Sequence, residues 1–348
     1  MQQEALVCHI EMDDAVLDRS RELVREVASC HDTVEDRTFL ELASTYAQDL
    51  PRALRQPLNR FRLAEPASLC VVSGWPVDDD RIGPTPTHWE SKPVPSPALE
   101  EEIFFFLCGS LLGDPLGWAT QQDGYVMHDL LPIRGHEQEQ LGSSSETVLT
   151  WHTEDAFHPY RADYVSLMCL RNPNNVQTTV AAGAAIELDD DVKHVLFEPR
   201  FTIRPDESHL PKNRSYAPKQ DEISQELLTR SYERIERMNE HPEPIPVLFG
   251  DPERPYLRLD PYFMERPRDD EARHALDTLV AAIDRELTGV ALRPGELCFI
   301  DNFKAVHGRQ PFHASYDGRD RWMKRLNIVR DVRKSRDARQ QAASRIIV

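Results

Sequence analysis

The chain is poor in the features that staple small secreted proteins or anchor membrane ones. Its 348 residues include 6 cysteines, scattered and without a Cys-x-x-Cys pair. That pattern excludes zinc ribbons and disulfide knots, and thiols in apolar surroundings predict a reducing cytoplasm. Apolar runs such as IFFFLCGSLL (103–112) are too short to cross a bilayer. Positive charge is scarce: 41 Lys+Arg against 59 Asp+Glu leave a net charge of −18. A general affinity for nucleic acid or an anionic membrane surface is therefore not expected. The amino terminus, MQQEALVCHIEMDD, lacks the basic, apolar and small-residue regions of a signal peptide. No internal repeat or linker is visible.

What is present changes character near residue 113. AVLDRSRELVREVA (15–28) and DRTFLELASTYAQ (36–48) place apolar residues at helical spacing, and Pro51 opens a third helix, PRALRQPLNRFRL. SLCVVSGWPV (68–77) is an apolar, β-branched run closed by Gly74 and Pro76, which predicts a buried strand. The proline-rich stretch 83–100 predicts a surface loop, and EEEIFFFLCGSLLG (100–113) a hydrophobic helix behind it. From 114 onward come short strand-like runs: ETVLTWHTED, ADYVSLMCLRN, TTVAAG, RFTIRP, IPVLFGD, PYLRLD, ELCFID and RWMKRLNIVRD. One charged helix (268–287) interrupts them. Many short strands between Gly, Pro and Asn turns predict an antiparallel β-sandwich or barrel flanked by helices. Residues 205–245 are polar and rich in charge and proline, so they predict either an irregular excursion or an active-site lid.

Residues 152–154 read His-Thr-Glu. In a strand, positions i and i+2 share a face, so His152 and Glu154 can grip one metal ion together. With 59 acids in 348 residues, 13 His should give about two such pairs by chance, and four occur. Context separates them. His88 and His241 sit in proline-rich loops and His9 lies near a terminus, whereas His152 and Glu154 end an alternating run. A distant second His would complete the two-nitrogen, one-carboxylate face of a non-haem iron oxygenase. FIDNFKAVHGR (299–309) offers His307, with Arg321 and Arg325 following in DRWMKRLNIVRD. An arginine in a half-apolar strand is costly unless it meets a carboxylate, which its planar fork matches. A metal beside such an arginine suits a dicarboxylate co-substrate. The other reading of Arg321 and Arg325 is a surface strand with ordinary ion pairs.

GWATQQDG (117–124), SSS (143–145), WHTEDAFHPYRADYVSLMCLRNP (151–173), IRPDESHL (203–210), PYLRLD (255–260), FIDNFKAVHGR (299–309) and YDGRDRWMKRLNIVRD (316–331) are specific in combination. Together they resemble the clavaminate synthase-like Fe(II)/2-oxoglutarate-dependent oxygenases, and within them the hydroxylases of free arginine-type amino acids. The resemblance implies an α+β chain: a distorted double-stranded β-helix (jelly roll) flanked by helices. It implies one oxygenase domain over 1–348, mostly helical over 1–113, with a jelly-roll core over 114–331 and a lid at about 205–240. His152, Glu154 and His307 match the iron ligands. Arg321 matches the arginine that binds the far carboxylate of 2-oxoglutarate, with Thr178 assisting. Arg325 and Gln121, with Glu154 beside them, match the residues that hold the α-carboxylate and α-amino group. Asp260 matches one of two acids that clamp a guanidinium.

Two positions depart from the family pattern. The second clamping acid is replaced by Tyr262, and a serine expected at the substrate carboxylate is replaced by Gly142. Losing one carboxylate from a buried guanidinium site costs a few kcal/mol, so L-citrulline stands beside L-arginine as an expected substrate. Alternatively Tyr262 faces outward and a lid carboxylate completes the clamp. The implied reaction hydroxylates C3 or C4 of the side chain with Fe(II), 2-oxoglutarate and O2, making a building block for a peptide antibiotic. Lysine, ornithine or enduracididine are the alternative substrates. Glu154 argues against a halogenase, in which that carboxylate is absent. A zinc hydrolase lacks its His-Glu-x-x-His helix here and leaves Arg321 unexplained, and a silent binding protein would show broken ligands.

Overall fold

The computed structural model describes residues 5–211 and 223–348. The chain opens with a strand, β1 (Ala5–Glu11), then helices α1 (Asp14–Ala28), α2 (Arg37–Ala47) and α3 (Arg52–Ala64), then strand β2 (Ala67–Ser73). Asp13 caps α1 by accepting the Val16 N–H at 2.8 Å. The helix buries Val16, Leu23, Val24 and Val27, the stripe its spacing predicts. β1 carries no such signal, since only Ile10 of its seven residues is buried. It is a strand because it pairs in parallel with β2, from Ala5 opposite Ala67 to Glu11 opposite Ser73.

A short α4 (Asp79–Ile82) precedes α5 (Leu99–Ser110), which is buried without a break from Glu101 to Gly109. The strands that follow are β3 (Asp114–Trp118), β4 (Met127–Leu130), β5 (Leu149–His152), β6 (Tyr164–Arg171) and β7 (Thr178–Ala182). Helices α6 (Asp190–Leu196) and α7 (Gln225–Glu240) come next, then β8 (Leu248–Asp251), β9 (Arg254–Leu257) and α8 (Asp270–Glu286). The chain closes with β10 (Thr288–Val290), β11 (Leu297–Asp301), β12 (Ala305–Arg309), β13 (Trp322–Val329) and β14 (Ile346–Ile347).

Two sheets face each other. The large one runs β1-β2-β11-β6-β13-β3-β14, with β4 also paired to β13, and the small one runs β10-β7-β12-β5. Period-two alternation sorts their side chains. Leu69 and Val71 of β2 enter the core between the sheets, where they join Val180 of β7 and Ala305 of β12. Cys70 and Val72 point the other way, into the cluster beneath α1, α2, α3 and α5. On β13, Leu326 and Ile328 take the helix side and Met323 the inter-sheet side, so Arg325 faces inward. On β12, Val306 packs outward with α6 and α8, which turns His307 and Arg309 inward. The result is a distorted jelly roll whose inter-sheet space is apolar at one end and polar at the other.

Several local expectations change. β2 falls on the strand expected over 68–77, whereas β1 was not expected, and both extend the large sheet. β14, beyond the expected end of the core at 331, pairs in parallel with β3. RFTIRP (200–205) forms no strand: Phe201 and Ile203 make isolated bridges to Ile245 and Met264. The polar stretch 205–245 holds α7, capped by Ser224 and burying Leu228, Ser231 and Ile235 on one narrow stripe. Residues 212–222 of the expected lid lie outside the described residues. All six cysteines are unpaired thiols, four of them buried. Among the described residues no helix is long and apolar enough to cross a membrane.

Candidate active site

β5 and β12 are antiparallel neighbours, and His152 stands directly opposite His307. Their ring centroids are 4.7 Å apart. Glu154 is not on the strand. β5 ends at His152, and the pleat that would align i with i+2 is replaced by side-chain clamps. Thr153 donates its N–H to the Leu259 carbonyl at 2.9 Å, and the Leu259 N–H returns a bond to the Thr153 hydroxyl at 3.2 Å. Asn302 accepts the Glu154 N–H at 2.7 Å and donates to its carbonyl at 3.1 Å. Asp155 then turns the chain away at φ 48°. These bonds bring Glu154 Oε2 to 3.6 Å from His152 Nε2 and 3.3 Å from His307 Nε2.

The three side chains offer ligand atoms that all lie within 4.8 Å of one another. His152 Nδ1 donates to the Thr150 carbonyl at 2.7 Å, which leaves the Nε2 lone pair aimed at Glu154. Burial works against charge on His152, but Glu154 and Asp260 outweigh it and raise its pKa to about 9. Burial opposes ionisation of Glu154 as well, yet Arg325 and the two imidazoles hold it well below its usual range. The cluster thus demands a positive charge between its members, a demand that a divalent cation meets. Two imidazoles and one carboxylate, with the other positions open toward a cleft, fit a non-haem iron centre.

That cleft runs between the sheets and opens to solvent. At one end lie Thr178 of β7 and Arg321, just before β13. Arg321 is buried, its Nε has no partner among the described residues, and desolvation lowers its pKa to about 10. No carboxylate of the described residues pairs with it. Beside the triad, Arg325 donates to Glu154 Oε1 at 2.5 Å, to Gln121 Oε1 at 3.2 Å and to His128 Nδ1 at 2.6 Å. At the other end are two acids, Asp260 and Asp206. Burial lifts Asp260 to about 6 while His152 draws it down, and its Oδ1 accepts the N–H groups of Tyr262 and Phe263 at 3.1 and 3.3 Å. Asp206 accepts the Ser208 N–H at 2.9 Å and the Ser208 hydroxyl.

Residues 119–327 match the taurine catabolism dioxygenase TauD, TfdA family. The chain belongs to that family. It is 47% identical to enduracididine beta-hydroxylase of Streptomyces hygroscopicus over 98% of this chain and 99% of the relative. It is also 47% identical to L-ornithine/L-arginine 3-hydroxylase of Catenulispora acidiphila, over 93% of this chain and 95% of that one. Among solved structures, the non-heme iron oxygenase OrfP with Fe, succinate and (3S)-hydroxy-L-Arg matches at TM-score 0.90 and 43% identity. It covers 98% of this chain and 100% of OrfP. OrfP is also solved with Fe and alpha-ketoglutaric acid, at TM-score 0.86.

Within this TauD/TfdA chain the residues singled out from sequence converge. His152, Glu154, His307, Thr178, Arg321 and Arg325 line the cleft, as do Asp260, Tyr262 and Gly142. Gln121 does not reach its wall and meets the site through Arg325. Tyr262 sits at the mouth with 55% of its surface exposed, its ring against Phe263. Sequence reasoning missed Asp206, Arg309, Asn302 and His209. His209 is fully buried, bonded to Asp155 Oδ1 at 2.9 Å and to the Thr120 hydroxyl at 2.7 Å, so it docks the 207–209 turn onto the chain beside Glu154. Only its place in IRPDESHL hinted at this. Nothing in a string distinguishes one acid or histidine of a polar loop from its neighbours.

Proposed function

We propose that this chain is an Fe(II)- and 2-oxoglutarate-dependent hydroxylase of a free, cationic L-amino acid, with L-arginine as the substrate and C3 as the carbon attacked. The observation that carries the reading is the pairing of a two-His, one-carboxylate cluster with a buried, carboxylate-free Arg321 in the same cleft. His152, Glu154 and His307 would hold the metal. Arg321 and Thr178 would hold the far carboxylate of 2-oxoglutarate. Bound there, the iron supplies oxidative decarboxylation of 2-oxoglutarate by O2 and transfer of one oxygen atom to the substrate.

The protein's part is placement. Arg325, fixed by Glu154, Gln121 and His128, presents its partner-free Nε to an α-carboxylate. Glu154 spends one oxygen on Arg325 and turns the other to the imidazoles, so substrate anchor and metal site share one carboxylate. Asp260 and Asp206 together offer a guanidinium the two charge-assisted partners it needs. This favours the reading in which a lid carboxylate completes the clamp and Tyr262 is a rim residue. L-citrulline, whose neutral ureido group needs no second acid, becomes the lesser substrate. The cationic substrates and 3- or beta-positions named for the relatives and for OrfP support the same assignment.

We read residues 1–348 as one oxygenase domain, acting in the cytoplasm on a small amino acid destined for a peptide product. The continuous large sheet, which draws strands from both ends of the chain, supports the single domain. The test is a mass-spectrometric assay with Fe(II), ascorbate, 2-oxoglutarate, O2 and equal L-arginine, L-citrulline and L-ornithine. Arginine gaining one oxygen, with NMR placing it on C3, is the expected outcome. Succinate formed without any oxygenated amino acid would refute the substrate assignment. Absence of succinate under all conditions would refute the oxygenase.

A further inference from the structure

The co-substrate end of the cleft holds a second cation that the family pattern leaves without a role. Arg309 lies two residues after His307 on β12, so both side chains leave the same face of the strand. Across the sheet it stands directly opposite Thr178. It lines the same cleft as Arg321 and is only 3% exposed. Its Nη2 donates to the Ser144 hydroxyl at 2.8 Å and to the Thr147 carbonyl at 3.4 Å, and the Phe312 ring covers one face at 5.0 Å. Nε and Nη1 have no partner among the described residues.

No carboxylate of the described residues pairs with either guanidinium. Both guanidiniums are buried in the lining of one cleft. Two buried, mutually repelling cations in one wall are expensive for a fold to retain unless an anion joins them. A carboxylate has about four lone-pair sites, enough for two guanidinium groups and a hydroxyl. Resting on the 2-oxoglutarate reading above, we propose that Arg309 binds the far carboxylate of the dicarboxylate co-substrate together with Arg321 and Thr178, and so makes the enzyme select dicarboxylic over monocarboxylic 2-oxo acids. The competing role is a peg that ties the 144–147 loop to β12. That role uses Nη2 alone and leaves the two other donors unexplained.

The readout that separates the two is direct binding. Fe(II)-loaded protein is titrated anaerobically with 2-oxoglutarate, following the visible metal-to-ligand charge-transfer band, and then with 2-oxopentanoate, which has the same carbon chain without the far carboxylate. In Arg309→Gln, 2-oxoglutarate should bind about ten- to hundredfold more weakly, the worth of one charge-assisted bond. Its affinity for 2-oxopentanoate should equal that of the wild type. Arg309→Lys keeps the charge and should recover part of the loss, which guards against a glutamine variant that folds poorly. Ser144→Ala removes the shorter of the two loop ties and none of the proposed carboxylate contacts, and should leave 2-oxoglutarate affinity unchanged. Equal weakening toward both acids, or Ser144→Ala reproducing the Arg309→Gln loss, overturns the proposal in favour of the peg. Unchanged 2-oxoglutarate affinity in Arg309→Gln overturns it outright. A wild-type protein that binds Fe(II) but gives no band overturns the co-substrate reading, and this proposal with it.

Discussion

Replacing Asp206 by asparagine tests which groups clamp the substrate's cationic end. The amide is nearly isosteric, and its oxygen can still accept the Ser208 N–H that Asp206 accepts at 2.9 Å, so the 207–209 turn should survive. What disappears is one negative charge facing a guanidinium. At about 4 Å and an effective dielectric near 20, such a pair is worth ~4 kcal/mol before desolvation. Net values for charge-assisted hydrogen bonds fall to ~1.5–3 kcal/mol. The Asp206 side chain is 22% exposed, so solvent screens it and the lower end applies, about 1.5–2 kcal/mol. This corresponds to a fall in kcat/KM for arginine of roughly 10- to 30-fold. Citrulline presents a carbonyl that an amide can satisfy, so its rate should hold or rise. Asp260 is only 7% exposed, and Asp260→Asn should cost more, about 100-fold for arginine. The assay is a competition between equal arginine and citrulline, read by mass spectrometry. If Asp206→Asn leaves the arginine-to-citrulline ratio where it was while Tyr262→Phe moves it, the clamp is Asp260 with Tyr262 and the reasoning is wrong.

Other outcomes follow from the same geometry. Arg321→Ala should raise the KM for 2-oxoglutarate far more than that for the amino acid, and equal effects in a kinetic assay would assign it a structural role. Asn302→Ala cuts the bonds that hold the Glu154 backbone, and should weaken Fe(II) binding by about 10- to 100-fold in a metal titration; unaltered affinity would mean that Glu154 is oriented by Arg325 alone. Burial raises Asp260 to about 6, so it loses its charge as pH falls through that value. The KM for arginine should therefore climb below about pH 6 while that for neutral citrulline stays flat, and parallel profiles would remove Asp260 from guanidinium binding. His152→Ala and His307→Ala should each abolish succinate formation, measured by chromatography, and retained turnover in either would break the triad.

Much of this was legible in one dimension, and the reason is spacing. His152-Thr-Glu154 is short enough for two ligands to be neighbours in nearly any extended backbone. Its conformation was nonetheless misjudged, because a strand end held by Thr153 and Asn302 looks in sequence like the strand continuing. His307, Arg321 and Arg325 were readable because β12 and β13 are adjacent in the chain and carry their charges at fixed offsets in apolar runs. α1 and α2 announced themselves through apolar residues at helical spacing, and Pro51 marked the start of α3. β1 did not, since six of its seven residues are not buried and its hydrogen bonds come from β2, more than fifty residues away.

Local pattern was sufficient wherever an interaction is decided within a few residues: helices with one apolar face, short buried strands, and ligand pairs on one stretch of chain. Packing decided everything that joins distant segments. Asp206 becomes a candidate clamp only when the 205–211 stretch folds onto the cleft opposite Asp260, and only the fold shows Tyr262 half exposed with its ring against Phe263. Arg309 looks like any arginine at the end of a strand until the closing of β12 against β7 buries it beside Arg321. Burial and charge pairing are properties of three-dimensional neighbours, and the free energy that makes a buried cation demand an anion does not exist until those neighbours are assembled.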